Sequence, residues 1–386
     1  MEHYVAEERG EPAVDRQALD RTDLDAPTSV LVWRRFRRHR LGVVCGLILL
    51  VGYLLLPFVE IIAPYAPNSF HENHVYAPPQ GLYLHHEGEY VGLHTYPTRT
   101  VYDVETGLVR AETDWSEPMP VRLFQSCGEP WGDDLMVNPV FEAIGGSFRI
   151  ICPPEGGHLF LLGSDRLGRD ILSRIIYGAR ISMTIGLIGV AVSFAIGLIL
   201  GGMAGYFGGW IDAAVSRAIE VFRSLPELPI WLALSAAVPV NWGPLTVFLI
   251  ISVILGLLDW PGLARAVRSK FLALREEDYV QAAELMGASS RRIIARHMMP
   301  NFMSHLIASA TLSIPVMILG ETALSFLGLG LRPPAVSWGM MLNDALNLTA
   351  VEIYPWLLWP MVPVILAVLA FSFVGDALRD ALDPYS

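Results

Sequence analysis

The sequence predicts an all-α membrane protein with six transmembrane helices and a small β-rich insert outside the membrane. Of its 386 residues, 53% are hydrophobic and only 17% are charged, which is typical of membrane proteins. Long uncharged runs recur along the chain, and the run at residues 41–59 is long enough to cross a bilayer. Residues 61–160 break this pattern, because they are rich in Gly, Pro and short alternating segments.

The N-terminal part predicts a cytoplasmic tail followed by a membrane anchor. Residues 1–30 are largely polar and acidic, a composition that favours disorder. Residues 31–60 hold the first span, and residues 33–40 (WRRFRRHR) place five arginines directly before it. Arginines mark cytoplasmic flanks, so the N-terminus is predicted to be cytoplasmic. Six spans then return the C-terminus to the same side.

The insert at residues 61–160 predicts a small extracytoplasmic β domain. Residues 98–110 alternate around a turn signal at Thr106 and Gly107, which is typical of a hairpin. Residues 121–124 and 147–152 are further strand candidates. The segment is acidic, and its surface either contacts a partner or is simply solvated.

The insert contains two cysteines and a group of histidines, which are candidates for a disulfide and for metal ligands. Cys127 and Cys152 lie on the predicted oxidising side, where they are either bonded to each other or free. Five histidines lie near glutamates, at His71, His74, His85, His86 and His94. Their spacing matches no tight ligand motif, so we expect no metal site.

The second span carries a small residue at every fourth position. The series is Gly189, Ser193, Gly197, Gly201, Gly205 and Gly209. Such a series forms a groove along one helix face and allows a second helix to approach closely. The neighbouring helix belongs either to this chain or to another subunit.

Ionisable residues in the later spans are candidates for a translocation path. Arg217, Glu220, Arg223 and Glu227 are spaced to share one face of the third span. They either line a water-filled path or lie at the inner membrane interface. Glu321 lies deep in the fifth predicted span, where it either lines the path or is a hydrogen-bonded packing residue.

Several motifs follow one another in the second half of the chain. They are LGSDRLGRDILSRIIYGAR at 162–180, GYFGGW at 205–210, EEDYVQAAELMGASSRRIIARHMMPN at 276–301, GETALSFLGLGLRPPAVSWG at 320–339 and GDALRDALDPY at 375–385. The first predicts an amphipathic helix at the outer interface, with Asp170 and Arg174 paired four residues apart. The third predicts a bent two-helix knob, in which Gly287 permits the turn and Pro300 ends the second helix. Val280, Ala282, Ala283 and Met286 are predicted to share one side of its first helix, where the small alanines let a partner approach closely.

Together these motifs resemble the C-type permease subunits of the dipeptide/oligopeptide/nickel family of ATP-binding-cassette (ABC) importers. The resemblance is close over residues 160–386 and loose over residues 30–60. It implies a type I importer fold, with five spans in a permease core at 161–386 and an "EAA" coupling loop at 262–300 that docks on an ATPase. Carried over onto this sequence, the coupling residues are Gln281, Ala282, Ala283, Gly287, Ile294, His297 and Pro300. Gln281 departs from the family's usual glutamate.

The resemblance also implies a function and a set of partners. We expect a non-catalytic permease subunit of the bacterial inner membrane that moves a small solute, above all short peptides, into the cytoplasm. The sequence has no GxxxxGK[ST] phosphate loop, so ATP and magnesium are expected in a partner ATPase. The other expected partners are a second permease subunit forming a heterodimer, two ATPase subunits or domains, an external solute-binding protein and the lipid bilayer, with no nucleic acid. Oligosaccharide or nickel-chelate import is an alternative, and an ATP-independent secondary transporter is a more distant one.

Overall fold

The computed structural model describes residues 28–102, 109–128, 141, 146–239 and 241–382. Within these ranges, five helices are long and apolar enough to cross a membrane: Arg40–Ile62, Ile171–Phe207, Pro244–Arg275, Ser290–Phe326 and Pro355–Leu382. At the position of the predicted third span, the chain forms two shorter helices, which are separated at Leu225 and Pro226. Proline disfavours helical angles at the residue before it, and Leu225 is extended.

The helices are numbered here in chain order. They are α1 (Thr28–Arg38), α2 (Arg40–Leu55), α3 (Val59–Ile62), α4 (Ile171–Phe207), α5 (Gly209–Ser224), α6 (Glu227–Ala236), α7 (Pro244–Arg275), α8 (Asp278–Leu285), α9 (Ser290–Arg292), α10 (Met299–Phe326), α11 (Trp338–Asn343), α12 (Leu348–Ile353) and α13 (Met361–Leu382). A π-helical turn, Ile293–Met298, joins α9 to α10. Short 3-10 turns link α2 to α3 and precede α13.

The insert contains three small antiparallel sheets. Their strands are β1 (Tyr83–His86), β2 (Glu89–Thr95), β3 (Thr98–Tyr102), β4 (Val109–Thr113), β5 (Met119–Pro120), β6 (Arg122–Ser126) and β7 (Phe148–Cys152). Strands β1, β2 and β5 form one sheet, while β3 pairs with β4 and β6 pairs with β7. The β3–β4 pair is the predicted hairpin, but the turn at Thr106 and Gly107 lies outside the described residues.

A disulfide closes the third sheet. Cys127 follows β6 directly, Cys152 is the last residue of β7, and the two sulfurs are bonded. The strands predicted at 121–124 and 147–152 are therefore neighbours, with Arg122 opposite Cys152 and Ser126 opposite Phe148. Among the described residues, Cys45 is the free cysteine.

The groove of small residues on α4 receives a helix of the same chain. A Cβ atom placed on Gly201 would lie 2.5 Å from the carbonyl oxygen of Ala264, and one on Gly205 would lie 2.6 Å from Cβ of Phe271. Gly197 meets Leu263 in the same way, so α7 fills most of the groove, while Gly189 also meets Met317 of α10. The groove ends before Gly209, which begins α5 and has open space around it.

The motif at 162–180 differs from its predicted form in two respects. Residues 162–170 form a tight loop rather than a helix, and α4 begins only at Ile171. The predicted pair between Asp170 and Arg174 is wrong. Asp170 caps α4 and accepts from the Ser173 amide at 2.8 Å, because its carboxylate turns toward the free amides of the first helical turn. Arg174 pairs instead with the buried carboxylate of Asp165.

The N-terminal helix is anchored against the end of the chain. Residues 1–27 lie outside the described residues, and α1 begins at Thr28, inside the segment predicted to be a tail. Phe36 of α1 is buried against Ala377 and Ala381 of α13. Helix α2 starts immediately afterwards and is capped by His39, whose Nδ1 accepts from the Gly42 amide at 3.1 Å.

Candidate functional site

The segment between α7 and α10 forms a compact two-limbed knob, which we call the coupling knob (residues 276–301). Its first limb is α8, which begins after a sharp turn at Glu276 and Glu277. Its second limb runs from α9 through the π-helical turn into α10. The Asn301 side-chain amide donates to the Tyr279 hydroxyl at 2.7 Å and ties the two limbs together.

Gly287 makes the turn between the limbs, as the sequence predicts. Its φ angle is +78°, a left-handed conformation that favours glycine because it lacks Cβ. The amide of Ala288 donates to the Ala283 carbonyl at 3.0 Å, and the amide of Gly287 donates to the Glu284 carbonyl at 2.9 Å. These two bonds form a complete Schellman motif, which satisfies the last carbonyls of α8.

The inner side of α8 packs on the rest of the chain. Val280 is 1% exposed and Ala283 is 2% exposed, within a cluster that includes Phe271, Ile293 and Met298. The prediction that Ala283 shares a partner-facing side with Ala282 and Met286 is therefore wrong. The α8 helix packs on α7, so the side that carries Val280 and Ala283 is buried within the chain.

The outer side of α8 is exposed and apolar at its C-terminal end. Gln281 and Ala282 are exposed, Leu285 is 89% exposed and Met286 is 82% exposed. Large apolar side chains at such exposure are typical of interaction surfaces when they lie side by side. Leu285 is absent from the predicted coupling residues. The sequence feature that could have identified Leu285 is its position directly before Met286 and Gly287, because the last side chains of a helix that ends at a glycine turn project outward.

The remaining coupling candidates lie in the second limb and differ in their exposure. Ile294 and His297 are half-buried within the π-helical turn, and Pro300 is exposed. Pro300 lies at the start of α10, so the prediction that it ends a helix is wrong. A proline is tolerated in the first turn of a helix because its missing amide hydrogen has no partner there.

The predicted polar stripe does not lie on one continuous helix. Arg217 and Glu220 form an exposed ion pair at 2.8 Å on α5, which also carries Arg223. Glu227 is the first residue of α6, beyond the break at Pro226. Its side chain is exposed, and it no longer shares the helical register of the other three.

Glu321 is fully buried within the chain. The Ser325 hydroxyl donates to Oε1 at 2.7 Å and the Ser182 hydroxyl lies 3.4 Å from Oε2. Ser182 also accepts from the Trp338 amide at 3.1 Å, so this site links α4, α10 and α11. The geometry is that of a satisfied packing residue, and none of these partners belongs to the 217–227 segment.

A further acid at membrane depth was missed. Asp259 of α7 is half-buried and accepts from the Ser193 hydroxyl at 3.0 Å, within the groove of small residues. The signal for it was its position directly after the uncharged run that ends at Leu258. A lone acid there is a candidate for a polar path by the same reasoning as Glu321.

Three histidines of the insert, His71, His74 and His158, contact one another through their rings. His74 and His158 lie 4.2 Å apart between ring centroids, and His71 and His158 lie 4.6 Å apart. Burial and the neighbouring His74 and His71 rings lower the pKa of His158 to about 4. Among the described residues, no group of three potential ligands is arranged to hold a metal ion. His158 lies far from the others in sequence, so spacing did not reveal it.

Comparison with known proteins locates the chain among transport proteins. Residues 197–385 match the model of the binding-protein-dependent transport system inner membrane component. Residues 29–79 match the model of the N-terminal transmembrane domain of oligopeptide transport permease C. The first match covers most of the segment at 160–386 that carries the resemblance, and the second covers the segment at 30–60.

Individual relatives agree with these matches. The dipeptide transport system permease protein DppC of Bacillus subtilis is 41% identical over 233 residues, which cover 60% of this chain and 70% of the relative. The oligopeptide transport system permease protein OppC of Haemophilus influenzae is 40% identical over 231 residues, covering 60% and 71%. Among solved structures, an inward-facing MetNI methionine ABC transporter covers 55% of this chain and 98% of its own, at 20% identity and a TM-score of 0.42, which is too weak a likeness to carry weight.

Proposed function

The chain belongs to the family of binding-protein-dependent transport system inner membrane components, as a C-type permease subunit, and on this premise we propose that it imports short peptides with energy from a partner ATPase. It is a multi-pass inner membrane protein with the helical core of an ABC permease. Peptides are the proposed cargo because the similar relatives are named for dipeptide and oligopeptide transport.

The exposed end of the coupling knob carries this proposal. Leu285 and Met286 form an apolar tip that is held in place by the Schellman turn at Gly287. A rigid helix end with two projecting apolar side chains fits a hydrophobic groove on another protein. We propose that this tip, with Gln281 and Ala282 beside it, docks on the ATPase.

The buried side of the knob provides the mechanical link in this proposal. Val280 and Ala283 pack against α7 and the second limb, so a displacement of the tip moves α7 and α10 with it. Packed helices move as rigid bodies, because close packing resists continuous deformation. ATP binding in the partner would thus be coupled to rocking of the helices that surround the path.

The remaining partners and the orientation follow from the same proposal. The knob lies in the cytoplasm, as do both termini, and the insert lies outside. ATP and magnesium bind to the two ATPase subunits or domains, a second permease subunit completes the pore as a heterodimer, and an external binding protein delivers the peptide. Arg217, Glu220 and Glu227 remain the proposed contributors to the path, and Glu321, whose carboxylate is buried and hydrogen-bonded in this conformation, would join them only when the surrounding helices move. Unchanged uptake after Glu321→Gln and Glu220→Gln together would reject that last assignment.

Co-purification from native membranes tests the docking proposal. We expect the tagged chain to recover an ATPase and a second permease, and Leu285→Ser with Met286→Ser to lose the ATPase while keeping the permease. Leu348→Ser is the matched control, because Leu348 is 81% exposed but lies far along the chain in α12. Loss of the ATPase in the control as well, or its retention in the double variant, contradicts docking through the tip. A chain that elutes without any ATPase favours an ATP-independent transporter.

A further inference from the structure

The segment directly before the first span carries a dense group of arginines on two helices. Residues 28–40 contain five arginines and no acid. Residues 374–382 of α13, against which α1 packs, add Arg379 with Asp376 and Asp380. Positive charge therefore exceeds negative charge clearly in this part of the fold.

The helix that carries these arginines is fixed in position. Phe36 is buried against Ala377 and Ala381, and a Cβ atom placed on Gly42 would overlap Ala377. The His39 cap then starts α2 within one residue of the end of α1. Because both helices contact α13, the arginines at the end of α1 and the start of α2 are held in a fixed position relative to the first span.

The exposed side chains of this region form a distinct surface, which we call the arginine surface (Trp33, Arg37, Arg38 and Arg40). All four are exposed, and Trp33 is 59% exposed while stacked on Phe36 at 6.0 Å between ring centroids. Arg34 and Arg35 take part in interactions within the protein and are left out of the surface.

The arginine surface directly precedes the apolar run of the first span. The uncharged run of the first span starts at Leu41, directly after Arg40. At about 1.5 Å per helical residue, the arginines at 37–40 lie within roughly 6 Å of that boundary along the chain. The polar layer on each side of a bilayer core is about 5–7 Å thick. Tryptophan is enriched at the same level, because its ring is apolar and its N–H is polar.

We propose that the arginine surface binds the phosphate groups of anionic phospholipids in the bilayer surface. Guanidinium groups bind phosphate oxygens through paired N–H donors, and clusters of arginine beside a span attract anionic lipids. The surface lies on α1 and the start of α2, and packing of Phe36 and Gly42 against α13 fixes its position. This binding goes beyond the transport proposed above and does not depend on it.

Lipid retention by the purified full-length chain tests the proposal. The protein is exchanged into mixed micelles with equal amounts of phosphatidylglycerol and phosphatidylcholine, and bound lipids are counted by native mass spectrometry. We expect phosphatidylglycerol to be preferred, and the preference to fall about tenfold or more in the triple variant Arg37→Gln, Arg38→Gln, Arg40→Gln, since each arginine near the surface contributes about 1 kcal/mol. The triple variant with lysine at these positions should keep most of the preference.

A matched control separates a local site from general charge. Arg291, Arg292 and Arg296 are also exposed, and their replacement by glutamine removes the same charge from the coupling knob. The proposal is overturned if this control loses as much phosphatidylglycerol as the first triple variant, or if the first variant loses none. Should the glutamine variant fail to fold, raising the salt concentration on the wild-type protein provides the second measurement. A preference that does not fall with salt contradicts phosphate binding at an exposed arginine surface.

Discussion

Arg180 and Glu60 form a two-pronged ion pair, with Nη1 to Oε1 at 2.9 Å and Nη2 to Oε2 at 2.9 Å. The same guanidinium also donates to the Leu56 carbonyl at 3.0 Å. Glu60 is fully buried, and the pair joins α3 at the end of the first span to the start of the second. Together with the Tyr53 hydroxyl, which donates to the Met183 carbonyl at 3.1 Å, it attaches the N-terminal anchor to the permease core.

Removal of one partner of this pair should destabilise the protein more than removal of both. Glu60→Gln leaves the Arg180 charge without its carboxylate, at a cost of about 3 kcal/mol, the low end for a buried pair because Arg180 keeps some exposure. Glu60→Met combined with Arg180→Met should cost less than either single change. Thermal unfolding of the purified variants measures this order, and a double variant worse than both singles would contradict it.

The close contact between α4 and α7 should tolerate no added methyl group. Gly201→Ala places its Cβ 2.5 Å from the Ala264 carbonyl oxygen, so the helices must separate. Overpacking of this kind costs roughly 1–3 kcal/mol. Gly243→Ala is the control, since it has open space and an ordinary φ of −64°. Equal unfolding temperatures for the two variants would show that the contact is looser than described.

The turn at Gly287 should be sensitive to backbone conformation and not to side-chain volume. A Cβ at this position meets nothing within 4 Å, but φ is +78°. Gly287→Ala should therefore cost about 1–2 kcal/mol of local strain, and Gly287→Asn less, because asparagine enters the left-handed region more readily. Recovery of the ATPase by the tagged variants should follow the order Gly, Asn, Ala. Equal recovery of ATPase by all three would separate this turn from docking.

The histidine contacts of the insert should make its stability depend on pH. The pKa of His158 is lowered to about 4 in the folded protein, so the folded state favours the neutral ring. Its contribution is present above the ordinary histidine value of about 6.5 and is lost as pH falls toward 4. Asp170 acts in the opposite direction, because burial raises its pKa to about 6. A variant at His158 is therefore needed to distinguish its contribution to stability from that of Asp170.

His158→Gln should flatten the fall in thermal stability between about pH 6.5 and pH 4, compared with the wild-type protein. His85→Gln is the control, because His85 is exposed on β1 and makes no ring contact with His158. Melting temperatures measured across this pH range in both variants and the wild type give the comparison. If His85→Gln flattens the curve to the same extent, the effect does not arise from the three-histidine contact.

Much of the architecture was predictable because it depends on local composition. A long uncharged run must be satisfied within a helix in lipid, so residues 41–59 and the later runs predict spans without knowledge of their neighbours. Alternation predicts strands in the same local way, as at 98–102. Gly287 was predictable as a turn, because the requirement for a left-handed residue is set by the backbone at that position.

Tertiary structure decided the partners. The repeat Gly189 to Gly205 predicts a groove, but only the fold shows that α7 of the same chain fills most of it. Spacing allowed Asp170 to pair with Arg174, yet the buried carboxylate that receives Arg174 is Asp165. Helical periodicity likewise put Ala283 and Met286 on one side of α8, whereas the fold buries the first and exposes the second. The sequence by itself determined most of the helical and extended segments and the turn at Gly287, because these depend on neighbouring residues. It did not determine the loop at 162–170 or the break at Pro226. Which side of each segment is buried depends on contacts between residues far apart in the chain, and these exist only once the helices have packed.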